Sequence, residues 1–516
     1  MPHDDILNIT SQRHETYNQK SKIWQQVSDS YAGGKTYQDG DYLHKFFREN
    51  SDSYKDRQKR ALYFNNTQPL SDMLVGFLIP KDGITRNKFK NQEVIDSIGR
   101  ISGLDDFMYR VATNSGLYTT GVLVDSPDFR IEDVITEQDR IDKGLNPYTV
   151  LYEPWKILNF YFDANDILSW VLLDNSFIDR SNPYATEQKI TKYTLWTREI
   201  IQHLWKKGSA ETSDAEFTGL LTNGIGGTSP SNPGKTHEIK KDANSEWFVS
   251  EPFPHGQPEI PFIFVNWYDK NNTKYADTVF EDIAFFDQGI YNYMSLMDEL
   301  ITAGTFKFLF FPGTIPDEIK DSGFSNLAAI PYDPLDGGKP FFDGPKLDDI
   351  NPFLNSIEFL LTGILRKLGL NTDQEKDYVQ SGQAKFFDFK KTNALLQSAS
   401  NNLEKTEKLI FKYYGSWIGK PDEDVEIKYP KDFLGVEQAE ELNRMYQTIA
   451  SPFDMMQQQA WKRIAEINFG GKIKKSEMNA IIKDIETTES EPIDINNLVD
   501  EEQNQEDTNN GRQRQQ

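Results

Sequence analysis

The 516-residue sequence contains no cysteine. That excludes disulfides, thiolate metal sites and a cysteine nucleophile, and it suits a reducing compartment. Histidine is nearly as scarce: His3, His14, His44, His203, His237 and His255 are scattered, with no H-E-x-x-H or similar ligand pair. Long apolar runs are missing too. The densest, "FKFLFF" at Phe306–Phe311, is far below the ~20 residues that a membrane span requires. "MPHDDILNITSQRHETYNQK" has no basic segment followed by an apolar one, so no signal peptide and no membrane contact are expected. Positive charge is in deficit, 56 Lys and Arg against 80 Asp and Glu, for a net charge of -24. Tight nucleic-acid binding draws on many cation–phosphate contacts. This chain is not composed for that, although DNA could pass such a surface without adhering.

Recognisable catalytic motifs are lacking as well. "DSYAGGKT" ends in Gly34, Lys35 and Thr36, but Asp29 stands where a phosphate loop needs its first glycine. "SPSNPGKT" has Ser229 at that position, and "GIGGTS" offers Gly224 and Gly226 without a third glycine. "DPLDGG" (Asp333–Gly338) carries too few acids for a calcium loop and reads as a turn. No G-x-S-x-G elbow occurs. The sequence therefore predicts neither an enzyme nor a cofactor.

What is present is a chain rich in aromatic residues, 13% against 37% hydrophobic overall, enough for a substantial core and two to four structural units. Residues 1–110 read as helical, with Arg57, Arg60, Ala61, Phe64, Leu70, Met73, Leu74 and Phe77 at helical spacing and Pro69 and Pro80 as punctuation. From about Leu117 to Tyr275 short alternating runs predict strands, interrupted by a Gly/Ser/Asn/Pro-rich break over 219–245 expected to be a flexible loop. A long helix follows, with Thr278 and Glu281 as a capping box and Ile283, Phe286, Ile290, Met294 and Met297 as its seam. Residues 305–350 read as turns and short strands. A second helix starts with Asn351 as N-cap and Pro352 as first residue, carries Leu354, Ile357, Leu361 and Ile364, and stops at Gly369.

Beyond the polar stretch "GLNTDQEKDYVQSGQ", the residues Leu396, Ala399, Leu403, Thr406, Ile410, Tyr413 and Trp417 form one helical seam, with Glu404 and Lys408 able to pair outside it. "KFFDF" at 385–389 fits either the first turns of that helix or a strand. A short strand "EDVEIKYP" and helices near 434–450, 453–468 and 476–487 complete the pattern. Ten acids and no Lys or Arg lie between Asp484 and Asp507, so the tail is expected to be disordered. Four basic clusters (Lys55, Arg57, Lys59, Arg60; Arg86, Lys88, Lys90; Lys385, Lys390, Lys391; Lys472, Lys474, Lys475) read first as solvated faces or inter-subunit ion pairs.

This order of elements resembles the portal proteins, or head–tail connectors, of tailed bacteriophages. Local stretches carry the resemblance: "DYLHKFFRENSDSYKDRQKRALYFNNTQPLSDMLVGFLIPKDG" (41–83), "GVLVDSPD", "PEIPFIFVNW", "TVFEDIAFFDQGIYNYMSLMDELITAGTFKFLFFPG" and "SGQAKFFDF…LLQSASNNLEKTEKLIFKYYGSWIG". The resemblance implies an α+β portal fold assembled as a ring. Residues 1–275 would be the wing, 276–304 and 351–369 the helical stem, and 305–350 the clip. Residues 370–383 would be the tunnel loop, 384–419 the tunnel helix, 420–432 a wing strand, 433–487 the crown and 488–516 the acidic tail.

It further implies a dodecamer at one capsid vertex of the virion, assembled in the host cytoplasm. Double-stranded DNA would pass through its channel without sequence specificity. Large terminase, head–tail adaptor and tail proteins, and the major capsid and scaffolding proteins would be its partners. The expected DNA-facing candidates are Asn371, Thr372, Asp373, Gln374, Glu375, Lys376 and Asp377 with Lys385, Lys390 and Lys391. Pro316, Asp317, Glu318, Lys320 and Asp321 are the adaptor-docking candidates of the clip.

The charge suits such a channel. Twelve copies at -24 each would carry -288, a field that holds a duplex toward the axis. Two other readings stay open: a nucleotide-driven packaging enzyme, which would require a phosphate loop or a metal-binding acid cluster, and another virion head–tail adaptor.

Overall fold

The computed structural model describes residues 3–47, 49–80, 83–87, 103–126, 146–180, 187–206, 208, 239–241, 246–267, 274–305, 308–314, 329–333, 338–344, 350–370, 382–419, 425–431, 433, 445, 454–469 and 475–487. The N-terminal layer consists of α1 (His3–Ser11), α2 (Glu15–Ala32), α3 (Gly34–Asp39), α4 (Ser51–Arg60), α5 (Thr67–Leu78), a short strand β1 (Thr85–Asn87) and α6 (Gly103–Leu117). Pro69 does not separate helices. It sits in the first turn of α5, where a missing N–H costs nothing. The inward stripe of α5 is Ser71, Leu74, Val75 and Leu78, whereas Phe64, Met73 and Phe77 of the expected stripe are exposed.

The strand-rich part forms two sheets. β2 (Thr120–Asp125) is central in a three-stranded antiparallel sheet between β3 (Tyr148–Tyr152) and β12 (Phe262–Val265). The larger sheet runs β4 (Ile157–Phe162), β5 (Leu168–Asp174), β7 (Gln188–Thr197), β8 (Ile200–Lys206), β10 (Trp247–Ser250) and β9 (Ile239–Lys241), with β6 (Phe177–Asp179) on β7 and β11 (Phe253–Pro254) on β8. Its strands are rich in β-branched and aromatic residues, which fit a pleated, half-buried surface. β9 corrects the reading of 219–245 as one flexible loop. Ile239–Lys241 pair antiparallel with β10, and only the part from 219 to 238 and 242 to 245 lies outside the described residues.

Two long helices follow, α7 (Val279–Thr305) and α8 (Asn351–Leu368), joined through β13 (Phe308–Pro312), β14 (Ala329–Tyr332) and β15 (Phe341–Asp343). Of the expected capping box of α7 one half forms: the Glu281 carboxyl accepts from the Thr278 backbone N–H and pairs with Lys20, whereas the Thr278 hydroxyl donates to Leu117 O. Asn351 is the first residue of α8 rather than its cap. Gly369 ends α8 as expected, left-handed at φ 76°. α9 (Gly382–Trp417) includes "KFFDF", which settles that stretch as helix. β16 (Glu426–Lys428) pairs with β1, and α10 (Asp454–Phe469) and α11 (Lys475–Thr487) close the order. The architecture is mixed α+β, and the expected helix at 434–450 lies outside the described residues but for Met445.

One core unites these parts. Leu396, Ala399, Leu403 and Ile410 of α9 are buried with Val122 and Val124 of β2, Phe107 and Val111 of α6, and Phe280 and Ile283 of α7. α6 lies so close to Trp267 that a Cβ added at Gly116 would stand 2.5 Å from the indole ring. Trp267 is itself held by donating Nε1–H to Ala112 O at 2.8 Å. Gly116→Ala should therefore cost about 1–3 kcal/mol by overpacking. Gly76→Ala, on an exposed face where a Cβ would meet nothing within 4 Å, should be neutral or stabilise by about 0.5–1 kcal/mol. Urea denaturation of the two variants checks the contrast, and equal effects would refute it.

Candidate functional site

α7 and α8 make an antiparallel hairpin whose register is readable from its contacts. Asp282 pairs with Lys367 at 2.5 Å, a Cβ at Gly363 would stand 3.7 Å from Phe286, one at Gly289 would stand 3.0 Å from Leu360, and Tyr293 meets Phe353 edge-on at 6.3 Å. The missing side chain at Gly289 lets the two helix axes approach. Of the expected seam, Ile283, Ile290, Ile357 and Ile364 are buried, and Phe286, Met294, Met297 and Leu361 are half-buried. Leu354 is 47% exposed. Exposure thus rises along the hairpin away from the core, reaching Ile301 on α7 and Leu354 on α8.

Beyond that end lies the small sheet. β13 is central, parallel to β14 and antiparallel to β15. Phe310 stacks on Phe341 at 5.0 Å, and Tyr332 meets Phe341 edge-on. No described residue of these strands is buried, and Phe308, Ile330, Phe341 and Phe342 are exposed. The docking candidates Pro316, Asp317, Glu318, Lys320 and Asp321 lie outside the described residues.

The base of the hairpin is fixed by a polar network that sequence spacing alone did not single out. Asp287 of α7 is fully buried and accepts from Asn66 Nδ2 (2.7 Å), Thr67 Oγ1 (2.8 Å) and Tyr63 OH (3.1 Å). Burial pushes its carboxyl above the usual carboxylate range, against the pull of those three donors. Gln288 and Asn292 donate to Tyr42 O at 3.1 and 3.0 Å, and Asn292 Oδ1 accepts from the His44 N–H at 2.7 Å. Arg57, also buried, forks onto both Glu49 oxygens at 2.7 Å and donates to His44 O (2.6 Å) and to Ser295 Oγ of α7 (3.1 Å). The Arg57 guanidinium holds the Glu49 carboxyl below its ordinary range. Arg60 pairs with Asp298 and Glu299 further along α7. These two arginines of the first basic cluster therefore form pairs within the chain, while Lys55 and Lys59 are exposed.

At the other end of α8 the chain enters the stretch that holds most of the DNA-facing candidates. Asn371 through Asp377 lie outside the described residues, and for Lys385 and Lys390 only the α9 backbone is described. Lys391 is exposed, and its ammonium donates to Arg366 O at 3.3 Å. A cation there meets the negative end of the α8 dipole. The neighbouring Thr392 hydroxyl donates to Leu368 O, so both flanks of 370–381 are anchored where α8 ends against α9. The expected Glu404–Lys408 pair forms at 2.7 Å.

Arg86, from the second basic cluster, is likewise internal. It pairs with Glu407, which is fully buried in α9, and with the exposed Asp105 at 2.6 Å. Tyr429 OH also donates to Glu407. Burial, and after it the Glu407 carboxylate, pushes the Tyr429 phenol well above its ordinary range. Lys88, Lys90, Lys472 and Lys474 lie outside the described residues.

Among the described residues no group of three or more His, Cys, Asp or Glu is placed to hold a metal ion, and no helix is long and apolar enough to cross a membrane. No family model and no curated protein matches the chain. Among solved structures, it is similar to a chain of the neck of an empty GTA particle, computed with C6 symmetry, at 9% identity and a TM-score of 0.34, over 84% of this chain and 90% of that one.

Proposed function

We propose that the chain is the subunit of a portal ring: a head–tail connector whose helical hairpin is a stem and whose terminal sheet is a clip. The observation that carries this reading is the sheet at the hairpin's end. Three short strands with aromatic residues on both faces, none buried among those whose burial is described, leave their apolar side chains open to water, a surface that marks a protein–protein contact. Neighbouring copies would cover it. In a ring, head-to-tail contacts between identical subunits supply that cover all the way round.

Within that reading the role is structural and requires no catalysis or cofactor. DNA would pass during packaging and ejection, terminase and tail adaptors would dock at the clip, and the stretch 370–381, sprung from the anchored α8–α9 junction, would face the duplex.

The test is assembly. Phe359, 73% exposed on the outer face of α8, and Phe342, 59% exposed on β15, should each tolerate Glu in the subunit itself, with unfolding free energy changed by no more than about 0.5 kcal/mol. Phe342→Glu/Phe359→Glu should nevertheless abolish rings in native mass spectrometry and negative-stain images, where the unaltered chain gives rings with a central hole. A wild-type protein that stays monomeric at all concentrations would overturn the proposal.

A further inference from the structure

β12 pairs only with β2, and its other edge is unpaired, among the described residues. A cleft of about 280 Å³ runs beside it, touching the four consecutive residues Phe262–Val265. Successive strand side chains point to opposite faces. A cleft that touches all four therefore follows the backbone edge itself. The facing wall is one side of α9, including Lys405, Leu409 and Tyr413.

Two lysines and no carboxylate line the cleft. Lys274 lies 4.5 Å from the Phe162 ring centroid and 3.2 Å from Asp166, while Lys405 is exposed and has no partner among the described residues. Asn266 Oδ1, also at the cleft, is buried from solvent without a donor. An unpaired strand edge, an aromatic wall and the spare positive charge of Lys405 together fit an extended, acidic, apolar-alternating peptide.

This chain contains one. The described chain ends at Thr487, and soon after it comes "EPIDINNLVDEE" (491–502), with five acids and no base. Ile493 and Ile495 alternate with Asp494 and Asn496, the period of a strand. We infer that residues 491–502, from the same chain or from an identical neighbour, add as a strand to the open edge of β12. The isoleucines pack on Phe162, Phe264 and Tyr413, and the acids neutralise Lys405. Pro492 is tolerated as the first residue of an edge strand. The inference stands or falls independently of ring assembly.

Zero-length carbodiimide cross-linking of the full chain, read by mass spectrometry, tests it. The Lys462–Glu486 pair, 2.8 Å apart, is the internal positive control. Lys405 or Lys274 should become joined to acids within 491–502. Ile493→Ser/Ile495→Ser, which alters no charge, should lower that yield about tenfold or more, because two buried isoleucines contribute at least that much to docking. Equal mixtures of light and ¹⁵N-labelled protein report whether the donor is the same chain. Three outcomes would each overturn the inference: no such cross-link while the control forms; a yield unchanged by the isoleucine substitutions, which is attraction by charge alone; or cross-links from the two lysines to a folded surface of another copy, which makes the cleft a subunit interface.

Discussion

Arg86→Met should destabilise the fold by about 3–5 kcal/mol, because it leaves the fully buried Glu407 carboxylate without its counter-charge. Asp105, the other partner of Arg86, is exposed and regains water when the arginine goes. The loss therefore concentrates on Glu407. The triple change Arg86→Met/Glu407→Leu/Tyr429→Phe removes every polar member of the cluster and should recover most of the loss, since an apolar replacement of similar volume leaves no buried charge. Chemical denaturation of the single and triple variants measures both. A single variant within 1 kcal/mol of wild type would show that water reaches Glu407 and that the pair is dispensable.

Asp287→Ala is the second large effect. It strands the buried Thr67 hydroxyl and removes one acceptor each from Asn66 and Tyr63, which keep Phe64 O and Ser30 O. At about 1–3 kcal/mol for the unsatisfied hydroxyl, with two further hydrogen bonds lost beside it, the loss should be roughly 2–3 kcal/mol by chemical denaturation.

Asp287→Asn isolates the charge. The folded-state carboxyl titrates above its ordinary value because it is buried. The native state therefore holds the proton more tightly than the unfolded chain, whose Asp titrates near ~3.9. The stability this group contributes is complete below the unfolded value and is lost as pH rises through the folded one. The asparagine does not titrate. The unfolding free energy of Asp287→Asn minus that of wild type should hence grow from pH 4 to pH 7.5, whatever constant offset the amide introduces. Glu281, whose carboxyl burial also raises, is present in both proteins and cancels. A difference that does not vary with pH would mean that Asp287 titrates normally.

Periodicity located the long elements because each has one face to bury. α7, α8 and α9 begin and end close to where their apolar spacing and glycines put them. The two decisive carboxylates were also in the pattern, though as exceptions to it. Asp287 stands four residues after Ile283 and three before Ile290, and Glu407 stands four after Leu403 and three before Ile410. An acid in phase with a buried stripe must find partners from elsewhere in the chain. Here those are Asn66, Thr67 and Tyr63 in one case and Arg86 and Tyr429 in the other; all but Tyr429, 22 positions on, are hundreds of residues away, where sequence spacing cannot name a partner.

The same limit explains the basic clusters. Whether an arginine faces solvent or an internal acid is decided by tertiary neighbours, as Arg57 and Arg60 show against α7. α5 failed for a related reason. Its periodic apolar residues include exposed Met73 and Phe77, and the residues that face inward include Ser71. Lys391, a DNA-facing candidate, is exposed and donates to Arg366 O at a helix terminus, a contact set by the turn at Gly369 rather than by its own neighbours in sequence.

The Arg86–Glu407 bond has a consequence in time. The two residues are 321 positions apart, and a ribosome adding roughly 5–20 residues per second needs on the order of 15–60 s to travel from one to the other. Throughout that interval the arginine can meet Asp105, 19 positions on, but that acid is exposed, and the buried partner does not yet exist. The buried side of the site, between β1 and α9, therefore closes only once α9 has been made. The chain is thus expected to hold that side open for most of its synthesis and to seal it late, when the strand pair β1–β16 joins the first hundred residues to the last.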